Sequence, residues 1–89
     1  FDYNKIKGDT IIRWRKDGDR FTPLGMKGSK KLKDLFIDLK VPKDERDRIP
    51  LICFGGEIAW VVGYRVSELF KVDKNTKKIL KITIESEEA

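Results

Sequence analysis

The sequence contains no histidine and only one cysteine, Cys53. Without histidine the chain lacks the commonest general base near neutral pH and the commonest zinc ligand. A single cysteine excludes an internal disulfide and a cysteine-rich metal site. Cys53 stands in the apolar run Leu51-Ile52-Cys53-Phe54. A catalytic thiol would want a histidine partner, so a buried structural thiol is expected there. No apolar run approaches the ~20 residues that cross a bilayer, so no membrane partner is expected. No stretch reads as a signal peptide, and a cytoplasmic location is expected. With no catalytic constellation in view, neither catalytic residues nor a metal are expected.

Charge, by contrast, is plentiful. Charged residues make up 39% of the 89 positions and hydrophobic residues another 39%, which describes one small folded domain with a very charged surface. The chain begins on Phe1 rather than methionine, so a piece of a longer protein is expected. Net charge is +5, and it is unevenly placed. Residues 1–33 carry +6, whereas residues 34–89 carry −1. A surplus confined to one third of the chain favours an anionic partner such as nucleic acid over mere solubility.

That third ends in Pro23-Leu24-Gly25-Met26-Lys27-Gly28-Ser29-Lys30-Lys31-Leu32-Lys33-Asp34-Leu35-Phe36. The pattern predicts a glycine loop running into an amphipathic helix over about 30–39, with Ser29 as N-cap and Leu32, Leu35, Phe36 and Leu39 as its apolar stripe. Lys30, Lys31 and Lys33 then crowd a helix start that already carries partial positive charge, which costs about 0.3–1 kcal/mol each when exposed. Loop glycines, helix amides and lysines together suit an anion. Lysines also fall together on solvated helix faces, and that reading stays open here.

The remaining elements follow from local patterns. Phe1–Lys7 reads as an extended opening strand. Thr10–Lys16 alternates, with Ile12 and Trp14 expected on the buried face and Arg13 and Arg15 on the solvated one. Asp17-Gly18-Asp19 is a turn. Pro42 starts a short second helix over about 43–48, which must end before Pro50. Two apolar runs split by Gly55-Gly56 read as a hairpin, with Ile58, Trp60 and Val62 sharing a core face. Val66–Val72 is extended or irregular, Asp73–Thr76 a turn, and Ile79–Ile84 a closing strand with Leu80, Ile82 and Ile84 inward. A frayed polar tail is expected over Glu85–Ala89. The sum is an α+β domain of about five or six short, mainly antiparallel strands with one main helix.

The ordered series Arg13-x-Arg15-x-x-Gly18-Asp19-Arg20-x-x-Pro23-x-Gly25-x-x-Gly28-x-Lys30-Lys31-Leu32-Lys33 resembles the C-terminal domain of tRNA(Ile)-lysidine synthetases. The likeness continues through Phe36, Lys40-Val41-Pro42, Arg46, Arg48, Pro50-Leu51 and Ile58-x-Trp60-Val61-x-Gly63-x-Arg65, covering roughly residues 10–70. No single motif is decisive; the order is what is specific.

The resemblance implies more than composition does. Enzymes of this family convert the wobble cytidine of a minor isoleucine tRNA to lysidine, using ATP and free lysine, in an N-terminal domain with a Ser-Gly-Gly-x-Asp-Ser loop. That motif is absent here, so neither ATP binding nor catalysis is expected of this stretch. The family's C-terminal domain holds the tRNA acceptor stem. The implied partners are therefore isoleucine tRNA and the missing N-terminal domain, and a homodimer is compatible. The implied phosphate contacts are Lys27, Lys30, Lys31 and Lys33, flanked by Arg15 and Arg20. Arg46, Arg48 and Arg65 are weaker candidates, because each can instead pair with a carboxylate. Gly18, Gly25 and Gly28 are expected to serve loop geometry, and Asp19 to fix the turn or orient Arg20.

Two rival readings come from other classes. In one, the chain is an interaction or dimerisation module whose lysines are only solvated while Phe1, Tyr3, Phe21 or Phe70 buries against a partner. In the other, it binds membrane surfaces or any polyanion without preference.

Overall fold

Gly55-Gly56 forms a two-residue turn between paired strands, and both glycines take positive φ (57° and 88°). Such a pair matches the twist of the strands it joins. The strands are β4 (Leu51–Phe54) and β5 (Glu57–Val61). In the computed structural model, which describes residues 1–85, β4 is buried at every position. It pairs on one side with β5 and on the other with β1 (Thr10–Arg13). Two later residues, β6 (Arg65–Val66), extend the sheet, giving the antiparallel order β1-β4-β5-β6. A separate antiparallel ribbon joins β2 (Arg20–Phe21) to β3 (Lys30–Lys31). This is the expected α+β domain, with six short strands, one main helix, α1 (Leu32–Asp38), and a short one, α2 (Lys43–Arg46).

A central strand apolar on both faces needs a cover on each. Leu32, Leu35 and Phe36 of α1 cover one, packing with Phe21, Val41, Leu51, Cys53, Ile58 and Val61. The other is covered by Phe1, Phe70, Leu80 and Ile82, gathered on Ile52, Phe54 and Ala59. Phe1 and Phe70 both meet the Phe54 ring edge-on, with centroids 5.2 and 5.1 Å away. Cys53 is fully buried as expected, and burial pushes its thiol pKa up.

Several sequence expectations are corrected. Ser29 does not cap α1. Its hydroxyl instead accepts a hydrogen bond from Arg20 Nε at 3.0 Å, and its carbonyl accepts one from Nη2. This draws Lys30 and Lys31 into β3 opposite β2, and the helix starts two residues later with Lys31 as an uncapped boundary. Only Lys33 of the three lysines lies in the first turn, beside Asp34. The second helix is also shorter than expected, with Pro42 as its N-cap and Arg48 beyond its end.

Ile12 and Trp14 are exposed (63% and 56%), while Arg13 turns inward to Asp19. Alternation tells which side chains share a face but not which face is buried, and the inward carboxylate decides it. Ile58 and Trp60 do not share a face either. Cys53 opposes Ile58 while Ile52 opposes Trp60, so Ala59 is an extra residue, a bulge. Ile58 joins the helix-side core, and the half-buried Trp60 joins the other with Val62.

The opening strand is instead a 3-10 turn, Tyr3–Lys5, capped by Asp2, whose carboxylate accepts from Asn4 N. Residues 79–84 form no strand. Ile79 makes one bridge with Asp2, and Leu80 exchanges two backbone bonds with Phe1. Phe21 and Phe70 are core residues, so neither is free to bury against a partner. The tail expected to fray lies, past Glu85, outside the described residues.

The α1 terminus is a Schellman motif: Val41 N donates to Phe36 O, Lys40 N to Ile37 O, and Lys40 takes φ +57°. Lys40→Gly should raise stability by about 0.5–1 kcal/mol, because relief of the left-handed strain exceeds the entropy cost of glycine. At Gly55 a Cβ would lie 2.1 Å from Lys7 O, whereas at Gly56 it meets open space. Gly55→Ala should therefore cost about 3 kcal/mol and Gly56→Ala about 1, both read from urea denaturation midpoints.

Candidate nucleic-acid interface

Asp19 joins three parts of the chain. Its carboxylate accepts both terminal nitrogens of Arg13 at 2.9 Å and the Lys16 amide at 2.7 Å. Its carbonyl accepts the Leu32 amide, the first of α1, at 2.9 Å. One residue therefore fixes the end of β1, the 16–19 turn and the helix start relative to one another. It fixes the turn, as expected, but it holds Arg13 rather than Arg20. Burial alone would raise the Asp19 carboxyl, but the hydrogen bonds from Arg13 and Lys16 N outweigh it and hold the pKa below its usual value.

Between the parts so held lies a cleft of about 270 Å³. Arg15, Lys16, Asp17 and Gly18 form one wall, and Lys31, Leu32 and Lys33 the other. Gly18 turns this corner at φ +84°. Beside the cleft, the β2–β3 register sets Arg20 directly opposite Lys31, and Phe21 opposite Lys30. Directly opposed residues share a face, so burial of Phe21 turns Arg20 and Lys31 outward together. Like charges across a strand pair are unfavourable unless an anion lies over them. Among the described residues, no carboxylate pairs with Lys16, Arg20, Lys31 or Lys33.

Other expected cations are placed differently. Arg15 Nε donates to Asp47 Oδ1 at 2.6 Å, with its guanidinium 6.0 Å from the centre of the Phe36 ring. Lys30 donates to the Asp38 carboxylate. Lys27 lies in another hollow, beside Glu68 and Lys71. There the Gly25 amide already donates to Glu68 Oε1 at 2.9 Å, so that loop position offers its amide to a carboxylate of the chain itself. Gly25 takes φ +87°, whereas Gly28 shows no positive φ and faces open space. Arg46 donates to Val41 O, and Arg65, at the far edge of the sheet, to Tyr64 O; neither pairs with a carboxylate among the described residues. Arg48 follows α2 and is exposed. Sequence reasoning missed Lys16. Its only signal was its place in the run Arg13-x-Arg15-Lys16 before a turn. Among the described residues, no His/Cys/Asp/Glu cluster could hold a metal, and no helix is long and apolar enough to cross a membrane.

A family model described as the TilS substrate C-terminal domain matches residues 10–84, which includes every residue of the cleft and ribbon. The chain belongs to that family. Among curated relatives it is 72% identical over 87 residues to the tRNA(Ile)-lysidine synthase of Clostridium tetani, covering 98% of this chain and 19% of that protein. It is 66% identical over 82 residues to that of Caldanaerobacter subterraneus, covering 92% and 18%. The chain thus spans about a fifth of the length of these relatives. A crystal structure of a TilS C-terminal domain superposes with a TM-score of 0.73 at 36% identity, over 85% of this chain and 58% of that one. An N-terminal fragment of the phenylalanyl-tRNA synthetase β-subunit of Pyrococcus horikoshii gives 0.71 at 24% identity, over 86% and 24%, a likeness of fold alone.

Asp19→Asn keeps the shape of this TilS C-terminal domain but removes the charge that holds Arg13. It should cost about 2 kcal/mol at pH 7. The native carboxyl titrates below its ordinary 3.8, so its contribution is complete above that pH and fades as pH falls through the native value. Denaturation midpoints of the two proteins should therefore converge in acid. A constant gap from pH 7 to pH 2 would show that the charge of Asp19 contributes nothing to the difference.

Proposed function

We propose that the chain is the tRNA-holding part of a tRNA(Ile)-lysidine synthase, gripping the acceptor stem of isoleucine tRNA by its phosphates. Activation of the wobble cytidine by ATP and attachment of lysine would then fall to the N-terminal domain of the longer protein. The observation that carries this reading is the outward pair Arg20 and Lys31 beside Lys16 and Lys33, with no carboxylate of the described chain on any of them. An A-form stem offers phosphates and 2′-hydroxyls rather than base edges in its deep groove, so cations held on a packed scaffold would read its shape. Arg15 and Lys30 contribute less, since each would first have to leave Asp47 or Asp38. Lys27 lies in a separate hollow, and Arg46 and Arg65 are held by backbone carbonyls.

The interaction-module reading keeps one observation in its favour, the exposed Ile11 and Ile12 on the edge strand β1 and Trp14 just after it. A salt titration separates the two. Binding to an isoleucine acceptor minihelix should exceed binding to an equal-length DNA duplex, with a steep log–log salt slope. Arg20→Gln and Lys31→Gln should each lower that slope by about 1, while Lys30→Gln should change it little. Equal affinity for both duplexes would favour generic polyanion binding. No binding to either would leave the cations as solvated surface and favour the interaction module.

A further inference from the structure

We propose that the polypeptide preceding Phe1 in the parent protein adds an antiparallel strand to residues 80–84, completing a ladder that this chain begins. Phe1 and Leu80 form a reciprocal pair: Phe1 N donates to Leu80 O at 2.9 Å, and Leu80 N to Phe1 O at 2.8 Å. Tyr3 N donates to Lys78 O at 3.0 Å, and Asp2 bridges Ile79 without such an exchange. These alternating wide and narrow pairs are the signature of an antiparallel ladder. The register fixes what comes next. The residue directly before Phe1 faces Lys81, and the one before that exchanges both bonds with Ile82.

Three independent features agree with a strand at 80–84. The sequence alternates apolar and polar there. Leu80 and Ile82 are half-buried against the Phe1 and Phe54 side of the sheet, while Lys81 and Thr83 are exposed. Among the described residues, Lys81–Glu85 make no backbone hydrogen bond. A segment with the side-chain pattern of a strand and no ladder is a template for one. The occupant follows from the geometry. The relatives are about five times longer than this chain, the family is a C-terminal domain, and any residue joined to Phe1 starts beside Lys81. The added strand ties the domain rigidly to the body of its parent, on the sheet face opposite α1 and the basic cleft.

Amide hydrogen exchange tests this by NMR, on the 89-residue chain and on the chain extended by the residues that precede Phe1 in its parent. In the extended chain the Ile82 and Ile84 amides should slow by about tenfold or more, while Lys81 and Thr83 stay fast. Unchanged exchange at Ile82 and Ile84, or slowing of Lys81 and Thr83 instead, overturns the proposal. Protection that appears in the 89-residue chain as its concentration rises assigns the edge to a second copy and overturns it equally.

Discussion

A central strand with no polar face governs the structure. Leu51, Ile52, Cys53 and Phe54 are all at most 2% exposed, in an antiparallel sheet of only four strands. Two covers are therefore obligatory, and the described residues supply only one helix long enough to be the first. The second is assembled from both ends of the chain. Phe1, Phe70, Leu80 and Ile82 come from three separate stretches, and aromatic edges replace a continuous apolar stripe. Burying a large side chain stabilises by about 1.5–3 kcal/mol, so neither end can be trimmed without exposing part of the sheet.

The same constraint positions the charge. The helix lies against the sheet through Leu32 and Phe36, and the ribbon through Phe21. With those side chains inward, alternation leaves Arg20 and Lys31 nowhere to point but outward, side by side. Asp19 then determines how far the 16–19 turn stands from them, because it bonds to both walls of the cleft. The cations contribute little to folding, and the groups that hold them in place contribute much. Under the proposed function, binding and stability would thus fall to different residues of one small region.

Much of this was legible locally. The Gly55-Gly56 hairpin, the apolar stripe of α1 and the basic first third could be read because each depends on neighbours in sequence. What escaped depends on partners farther off. Arg13 faces inward because Asp19 lies six residues on, and alternation alone is symmetric about that choice. Ser29 has every local mark of a helix cap, but Arg20 takes its hydroxyl and draws two lysines into a strand. The bulge at Ala59 shifts the register by one, which no propensity signals. Lys16 sits in a turn, where charge has no period by which to single it out. Ile79–Ile84 has the pattern of a strand, yet a strand also needs a partner, and among the described residues none pairs beyond Leu80.

The carboxylates of the helical layer sharpen the basic surface. Asp47 holds Arg15 and Asp38 holds Lys30, each across from a residue near the cleft. Exposed pairs of this kind stabilise the fold by at most about 1 kcal/mol, so stability is a weak reason for them. Their larger effect is on the field. Each removes one unit of free positive charge from in or beside the cleft, so that Lys16, Arg20, Lys31 and Lys33 are left without a carboxylate partner among the described residues. A broad, uniformly basic face attracts any polyanion in many orientations. A smaller patch bordered by neutral pairs would, under the proposed function, restrict the orientations in which phosphates can bind. Under the proposed function, selectivity for a helical backbone would need no base contact, only cations held by the turn, the ribbon and the helix start.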